Sequence, residues 1–265
     1  MKKRNLFTLL SILLLASFII STAVYAKNDD VLSRFKNFNN DEILVFEAPE
    51  ITESDILLER AKNINEGGIK PHVIFQLKKD GIDVDTKDIK AYSTVQKLAS
   101  KRNIKTGETT DLYKQSSFVI IPASTWESDP DHGTDSSRGV RCDSTIWYEE
   151  IFCSQQQCVK MVQIDGKWTK QDSTITWSNS KIAPFVQGAY VNSNCGGNTR
   201  ILRTGYDQVI PSGGNPTSGA TYSITPWSNQ YTYLRNVFMS NSAGTDYSQA
   251  NYKITLSRSS GRWDF

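Results

Sequence analysis

Short runs of alternating apolar and polar residues, separated by clusters of Gly, Asn and Ser, fill the second half of this sequence. In the last run Tyr252, Ile254 and Leu256 share one side, which is the period of a β-strand. Strand candidates of this kind are 118–122, 142–152, 158–164, 168–177, 185–191, 200–206, 221–226, 233–240 and 252–258. No helical period separates them. The pattern predicts an all-β antiparallel sandwich of eight or nine strands over residues 117–265.

One turn in this region has a specific signature. Asp165-Gly166 lies between two strand candidates, and this dipeptide is typical of a two-residue type I′ hairpin turn. We therefore expect the chain to reverse at Asp165 and Gly166.

The four cysteines all lie in the same region. Cys153 and Cys158 enclose a four-residue polar segment, which suits a hairpin closed by a disulfide at its base. The remaining pair would be Cys142 with Cys195, although three pairings are possible in principle. A zinc site is disfavoured, because no second short Cys spacing and no nearby His accompany these residues. The sequence thus predicts a disulfide-stapled sandwich.

Residues 27–116 form the first zone of the chain, before the β-rich second zone of residues 117–265, and this first zone is more charged and carries helical patterns. A helix is expected over 53–65 with Thr52 as its cap, and another over 87–102. Short strands are expected over 42–46 and 72–77. This zone is predicted to be a small charged α+β or helical segment. The alternative is a pro-region that is removed by cleavage at the dibasic pair Lys101-Arg102.

The amino terminus has the pattern of a secretory signal peptide over residues 1–26. Lys2, Lys3 and Arg4 precede an apolar run over 6–20, and small residues stand near Ala26. The run is short for a hydrocarbon core of about 30 Å, which disfavours the alternative of a permanent anchor. We expect a secreted, extracellular protein without a membrane span after cleavage.

The charge excludes one class of partner. The formal net charge is +2, and the leader holds three of the cations, so the mature chain is close to neutral. Nucleic-acid binding that is driven by neutralisation of phosphates is therefore not expected.

Motifs for catalysis are absent from the sequence. The chain has two His, in different zones, and none of the common nucleophile, zinc-protease or P-loop motifs. Glu149 and Glu150 are adjacent on a predicted strand, so they should face opposite sides and make a poor acid/base pair. A non-enzymatic role is favoured. An extracellular hydrolase with an unrecognised site remains the alternative.

An acidic stretch offers the one candidate for a metal. Asp129, Asp131 and Asp135 carry oxygen ligands of the type that Ca²⁺ prefers. The stretch departs from the EF-hand pattern, with Gly133 at the fifth position and Val140 at the twelfth. A flexible acidic linker is the alternative, and no other cofactor is expected.

Aromatic residues supply the candidate ligand-binding surface. Trp227, Tyr231 and Tyr233 crowd one short segment, and exposed rings on a sheet can stack on sugars. The alternative is ordinary cross-strand packing. The sequence favours a secreted non-catalytic binding protein for a cell-wall or environmental glycan, or for a protein partner such as one at a cell surface. The second hypothesis is a secreted toxin or antimicrobial protein with an N-terminal pro-segment.

Overall fold

Antiparallel strands make up most of the structure, a computed structural model that describes residues 31–63, 72–79, 82–83, 90–121, 139–153, 156–170, 175–191, 197–205, 208–209, 215–225, 233–249 and 252–264. Two helices lie in this part, α1 (Val31–Phe35) and α2 (Ser54–Asn63). The strands are β1 (Glu42–Glu47), β2 (His72–Lys79), β3 (Ile82–Asp83), β4 (Lys90–Asn103), β5 (Thr109–Ile121), β6 (Val140–Cys153), β7 (Gln156–Lys170), β8 (Thr176–Val191), β9 (Gly197–Gly205), β10 (Gln208–Val209), β11 (Thr221–Ile224), β12 (Leu234–Gln249) and β13 (Tyr252–Asp264). The all-β prediction is confirmed at this level.

The strands form one sheet that turns back on itself. Its order is β1-β4-β5-β6-β7-β12-β13-β2-β3, and β8 runs beside β12 with β9 and β10 along it. Strand β12 pairs with β7 at Leu234 and Arg235 and then follows β8 for most of its length. The second half of the sheet therefore lies near the first, with β12 close to β6 and β13 close to β5. This arrangement fits a sandwich.

The main core lies between these two halves. Its largest buried side chains come from both, and they include Ile146, Met161, Ile164, Trp168, Ile182 and Met239. Burial of this apolar surface is the main stabilising contribution to such a fold.

The other face of strands β4 to β7 is covered by residues 31–63. Phe35 of α1 packs in a cluster with Leu112 and Trp147, and Leu57 of α2 packs in a cluster with Phe118. These four strands are thus covered on both faces. The predicted boundary between residues 116 and 117 falls within β5.

Local predictions for the first zone have mixed outcomes. The helix expected over 53–65 is observed as α2, and the strands expected over 42–46 and 72–77 are observed as β1 and β2. The helix expected over 87–102 is wrong, because this segment is β4 and pairs with β5 from Lys90 to Arg102. Tyr92, Val95 and Leu98 have helical spacing but enter three different clusters on both sides of the sheet. Plain alternation places Tyr92 and Leu98 on the face that residues 31–63 cover and Val95 on the other, so the three-residue spacing is compatible with a strand.

The hairpin turn expected at Asp165-Gly166 is also wrong. Strand β7 runs through both residues, which lie opposite Thr145 and Ser144 of β6. A Cβ atom on Gly166 would lie 2.8 Å from the Ile182 side chain. The glycine therefore permits close packing of the two sheet halves, and it makes no turn.

The predicted pairing of the cysteines is wrong, although Cys153 is disulfide-bonded. Cys142 and Cys158 are buried free thiols. The register places Cys158 opposite Ile151, whereas Cys153 lies opposite Gln156, so the expected pair does not face across the hairpin. Cys195 lies outside the described residues, as does the predicted signal peptide. Within the part of the chain that the structure describes, no helix is long and apolar enough to cross a membrane.

Candidate functional site: a polar pocket beneath helix α2

Polar side chains from four neighbouring strands meet on the face that α2 covers. The register brings together two rows across β5, β6, β7 and β11. The first row is Phe118, Asp143, Lys167 and Thr221, and the second is Ser116, Thr145, Asp165 and Ser223. Directly opposed residues in an antiparallel ladder project to the same face. The rows therefore form a mostly polar floor, with Phe118 as its apolar member.

The residues just before α2 and its first turn form the opposite wall and make the floor into a pocket. Thr52, Ser54 and Leu57 line it together with floor residues from both rows, and its cavity volume is about 60 Å³. We call this space the polar pocket. It is well below the range of about 300–1,000 Å³ typical of ligand clefts, so it can take only a small polar group of a larger ligand.

Polar contacts hold this segment against the sheet. Lys114 Nζ donates to Glu50 Oε1 over 2.7 Å, and Lys167 Nζ donates to Ser54 Oγ over 2.9 Å. The backbone N–H of Ile51 donates to Gln96 Oε1 over 3.0 Å. Both lysines that line the pocket are thereby engaged within the protein.

The carboxylate of Asp143 is held by Arg141. The guanidinium binds Asp143 through two contacts of 2.8 and 3.0 Å and also reaches Asp55 Oδ1 of α2 at 2.5 Å. Burial raises the pKa of Asp143, and this outweighs the opposing effect of Arg141. The hydrogen bond and charge of Arg141 lower the pKa of the more exposed Asp55.

The second carboxylate, Asp165, is buried and accepts two hydrogen bonds. Trp147 Nε1 donates over 2.6 Å, and Gln163 Nε2 donates over 2.9 Å. Lys114 Nζ lies 4.8 Å from the centre of the Trp147 ring. The pocket lining therefore contains two cations and two anions, each with a partner in the protein.

This arrangement suits binding better than acid/base catalysis. Short hydroxyl side chains line the pocket at Thr52, Ser116, Thr145 and Thr221, and each hydroxyl offers one donor and two acceptor sites.

One pair of side chains at the pocket, Ser54 and Lys167, has the spacing of a nucleophile and a base. However, Lys167 Nζ is the donor in this contact, whereas a base would have to accept the hydroxyl proton of Ser54.

The structure places Tyr233 away from this pocket. Its hydroxyl donates to Glu149 Oε2 over 2.7 Å, and its ring packs against a cluster that contains Cys158 and Val191. Burial raises its pKa. Tyr233 is half-buried and engaged in packing, while Trp227 and Tyr231 lie outside the described residues.

Glu149 and Glu150 lie on opposite faces, as the alternation predicts. Glu149 contacts Tyr233 and lies 3.7 Å from Lys160 Nζ, whereas Glu150 is buried opposite Asp111 of β5. The metal candidates Asp129, Asp131 and Asp135 lie outside the described residues. Among the residues that are described, no group of three His, Cys, Asp or Glu side chains is close enough to hold a metal ion.

Sequence reasoning missed every residue of the polar pocket. Lys114 and Ser116 lie at the end of the predicted first zone, Thr145 and Asp165 in the second, and Ser54 in the predicted helix. One signal was available, since Ser, Thr and Lys occupy positions in β5 and β6 where a buried strand normally carries apolar residues.

The chain was compared with protein-family models, with curated proteins and with solved structures, and none of them matches.

Proposed function

We propose that this chain is a secreted, non-catalytic binding protein that binds a cell-wall or environmental glycan at the mouth of the polar pocket, with one hydroxyl group of a sugar unit inside it. The observation that carries the proposal is the charge balance of the lining. Two lysines, Lys114 and Lys167, and two carboxylates line the pocket, so its formal charges balance. Each of these groups is hydrogen-bonded within the protein, and a neutral polar ligand is therefore favoured.

A sugar ring matches this lining chemically. It offers hydroxyl groups around its rim and apolar C–H groups on its faces. The pocket provides hydroxyls from Thr145 and Thr221 and an apolar wall from Phe118 and Leu57. A protein partner, the other ligand expected from the sequence, would have to place a small polar side chain in the same space.

Export supports an extracellular glycan as the ligand. The leader over residues 1–26 has the features of a signal peptide. The near-neutral mature chain would not be repelled by charged cell surfaces.

Glycan-array screening followed by calorimetry tests the proposal. Thr145→Val removes a hydroxyl from the pocket with little change in shape, and we expect about a three- to tenfold loss of affinity, the usual worth of one neutral hydrogen bond. Thr94→Val is the matched control. Thr94 of β4 is buried directly opposite Ser116 of β5, but it does not line the pocket. Equal affinity of both variants and the parent chain would contradict the assignment of the pocket.

A hydrolase is the second candidate, and the Ser54–Lys167 contact of 2.9 Å is the observation that favours it. A serine-directed fluorophosphonate probe that labels the parent chain but not Ser54→Ala would support this alternative. No labelling, together with glycan binding, would support the binding protein.

The toxin hypothesis has less support. The dibasic pair Lys101-Arg102 lies within β4, paired on one side with β5 and on the other with β1. Lys101 also forms an ion pair with Glu42 at 3.2 Å. A protease would have to unpair an internal strand before it could cut there.

A further inference from the structure

Strand β1 leaves an apolar edge of the sheet uncovered. It is the terminal strand of the sheet order and pairs with β4 on one side. Its central side chains, Ile43, Leu44, Val45 and Phe46, are 47%, 37%, 49% and 43% exposed. Ile104, whose N–H donates to Asp41 just before β1, is 58% exposed. Soluble proteins usually protect such edges with charges or a covering element.

Most charged residues around this edge are paired within the same chain. Glu42 pairs with Lys101 at 3.2 Å, Glu47 pairs with Lys36, and Asp41 pairs with Lys105 at 2.8 Å. Arg102 lies opposite Ile43, donates to the carbonyl of Gly107 and adds one positive charge. Among the described residues the edge therefore has little surplus charge with which to attract an anionic bilayer or a highly charged peptide. An apolar surface framed by paired charges is complementary to a second surface of the same kind.

We propose that this edge binds the β1 edge of a second copy of the chain, with the two strands antiparallel about a two-fold axis. The sequence from Glu42 to Glu47 has four apolar residues with one glutamate at each end, so it has the same pattern in both directions. Antiparallel pairing places apolar residues opposite apolar residues. It places Glu42 opposite Glu47 of the second copy, and each glutamate brings its own lysine, which removes the like-charge penalty.

The bulge in β1 sets the strength of this contact. The register with β4 shifts between Leu44 and Phe46, so a continuous ladder across the middle of the edge is not expected. Backbone pairing is confined to the ends, and the apolar side chains hold the centre. A contact through one short strand buries less surface than stable protein–protein interfaces, which bury about 1,200–2,000 Å² in total. The dimer is therefore reversible and depends on concentration.

A dimer would also display two polar pockets. If the proposed function holds, a multivalent glycan would bind such a dimer more tightly than a monomer, because the second contact is intramolecular. The dimer itself does not depend on the proposed function.

Sedimentation velocity of the mature chain without ligand tests the dimer. We expect the weight-average mass to rise toward twice the monomer mass as concentration increases. Val45→Lys places a new charge in the edge and should weaken dimerisation at least tenfold. Ile56→Lys is the matched control, because Ile56 is a 53% exposed residue on α2, outside the edge, and this variant should dimerise like the parent chain.

Three outcomes would overturn the inference. These are a parent chain that stays monomeric at all concentrations, a Val45→Lys variant that dimerises normally, and equal loss of dimer in both variants. Far-UV circular dichroism of each variant shows whether the fold is retained. If Val45→Lys does not fold, Leu44→Lys provides the same test from the adjacent position. Glycan binding is measured separately, so failure of the dimer and failure of the proposed function can be told apart.

Discussion

The indole Nε1–H of Trp147 donates to Asp165 Oδ2 over 2.6 Å, and both side chains are buried. The bond crosses from β6 to β7 where their register shifts between Trp147 and Tyr148. It therefore connects an irregular point of the sheet to the floor of the polar pocket. The carboxylate of Asp165 also accepts from Gln163 and so organises two buried donors.

We expect Asp165→Ala to destabilise the protein by about 2–3 kcal/mol, because two buried donors lose their acceptor. Urea denaturation measures the change in the free energy of unfolding. Asp41→Ala is the control, since its ion pair with Lys105 is exposed and should contribute below about 1 kcal/mol. Similar losses in the two variants would contradict the role given to Asp165.

Gly166→Ala tests the close approach of the sheet halves. The added Cβ atom would lie 2.8 Å from Ile182, and we expect a loss of about 1–3 kcal/mol from overpacking. Ile182→Val in the Gly166→Ala background shortens the opposing side chain and should recover part of that loss. If the double variant is as unstable as the sum of the single variants, steric contact is not the cause.

Removal of Arg141 should expose the cost of a buried carboxylate that loses its guanidinium partner. Arg141→Met leaves Asp143 with only Lys167 opposite it and the hydrogen bond of Ser54, and we expect a loss of at most about 3–5 kcal/mol at neutral pH. Asp143→Asn in the same chain removes the uncompensated charge and should restore a large part of the stability. Chemical denaturation of the two single variants and the double variant measures the coupling. Strict additivity of the losses would argue against the pair.

Glu150 should make the stability depend on pH in a particular direction. Burial raises its pKa in the folded state, with Asp111 adding to the effect and Gln157 opposing it. The folded state therefore holds this proton more strongly than the unfolded state. The resulting stabilisation is complete below the unfolded pKa and is lost as the pH rises through the folded pKa.

Glu150→Gln removes this penalty at neutral pH. We expect the variant to be more stable than the parent chain at pH 7, and the difference to shrink in acid. Glu59→Gln on the exposed surface of α2 should show a smaller change with pH. Denaturation midpoints across the acidic and neutral range measure both effects. A Glu150→Gln variant that is less stable at pH 7 would reverse the expected sign.

Elements with local signals were predictable, whereas the pocket was not. The alternation in 142–152 and the cap before α2 are local features, and both elements are observed. Gly166 and the spacing of Val95 and Leu98 suggested a turn and a helix, because packing between sheet halves and the pairing of β4 with β5 are invisible locally. The polar pocket depends on register across four strands that are distant in sequence, as the approach of Ser54 to Lys167 shows.

An NMR titration of isotope-labelled protein with the best glycan from the array locates the binding site. Binding in the polar pocket predicts saturable shifts of the backbone amides of Thr145, Lys167 and Thr221, and loss of these shifts in Thr145→Val. Saturable shifts confined to the segment from Trp227 to Tyr233, with Thr145, Lys167 and Thr221 unchanged, would contradict it.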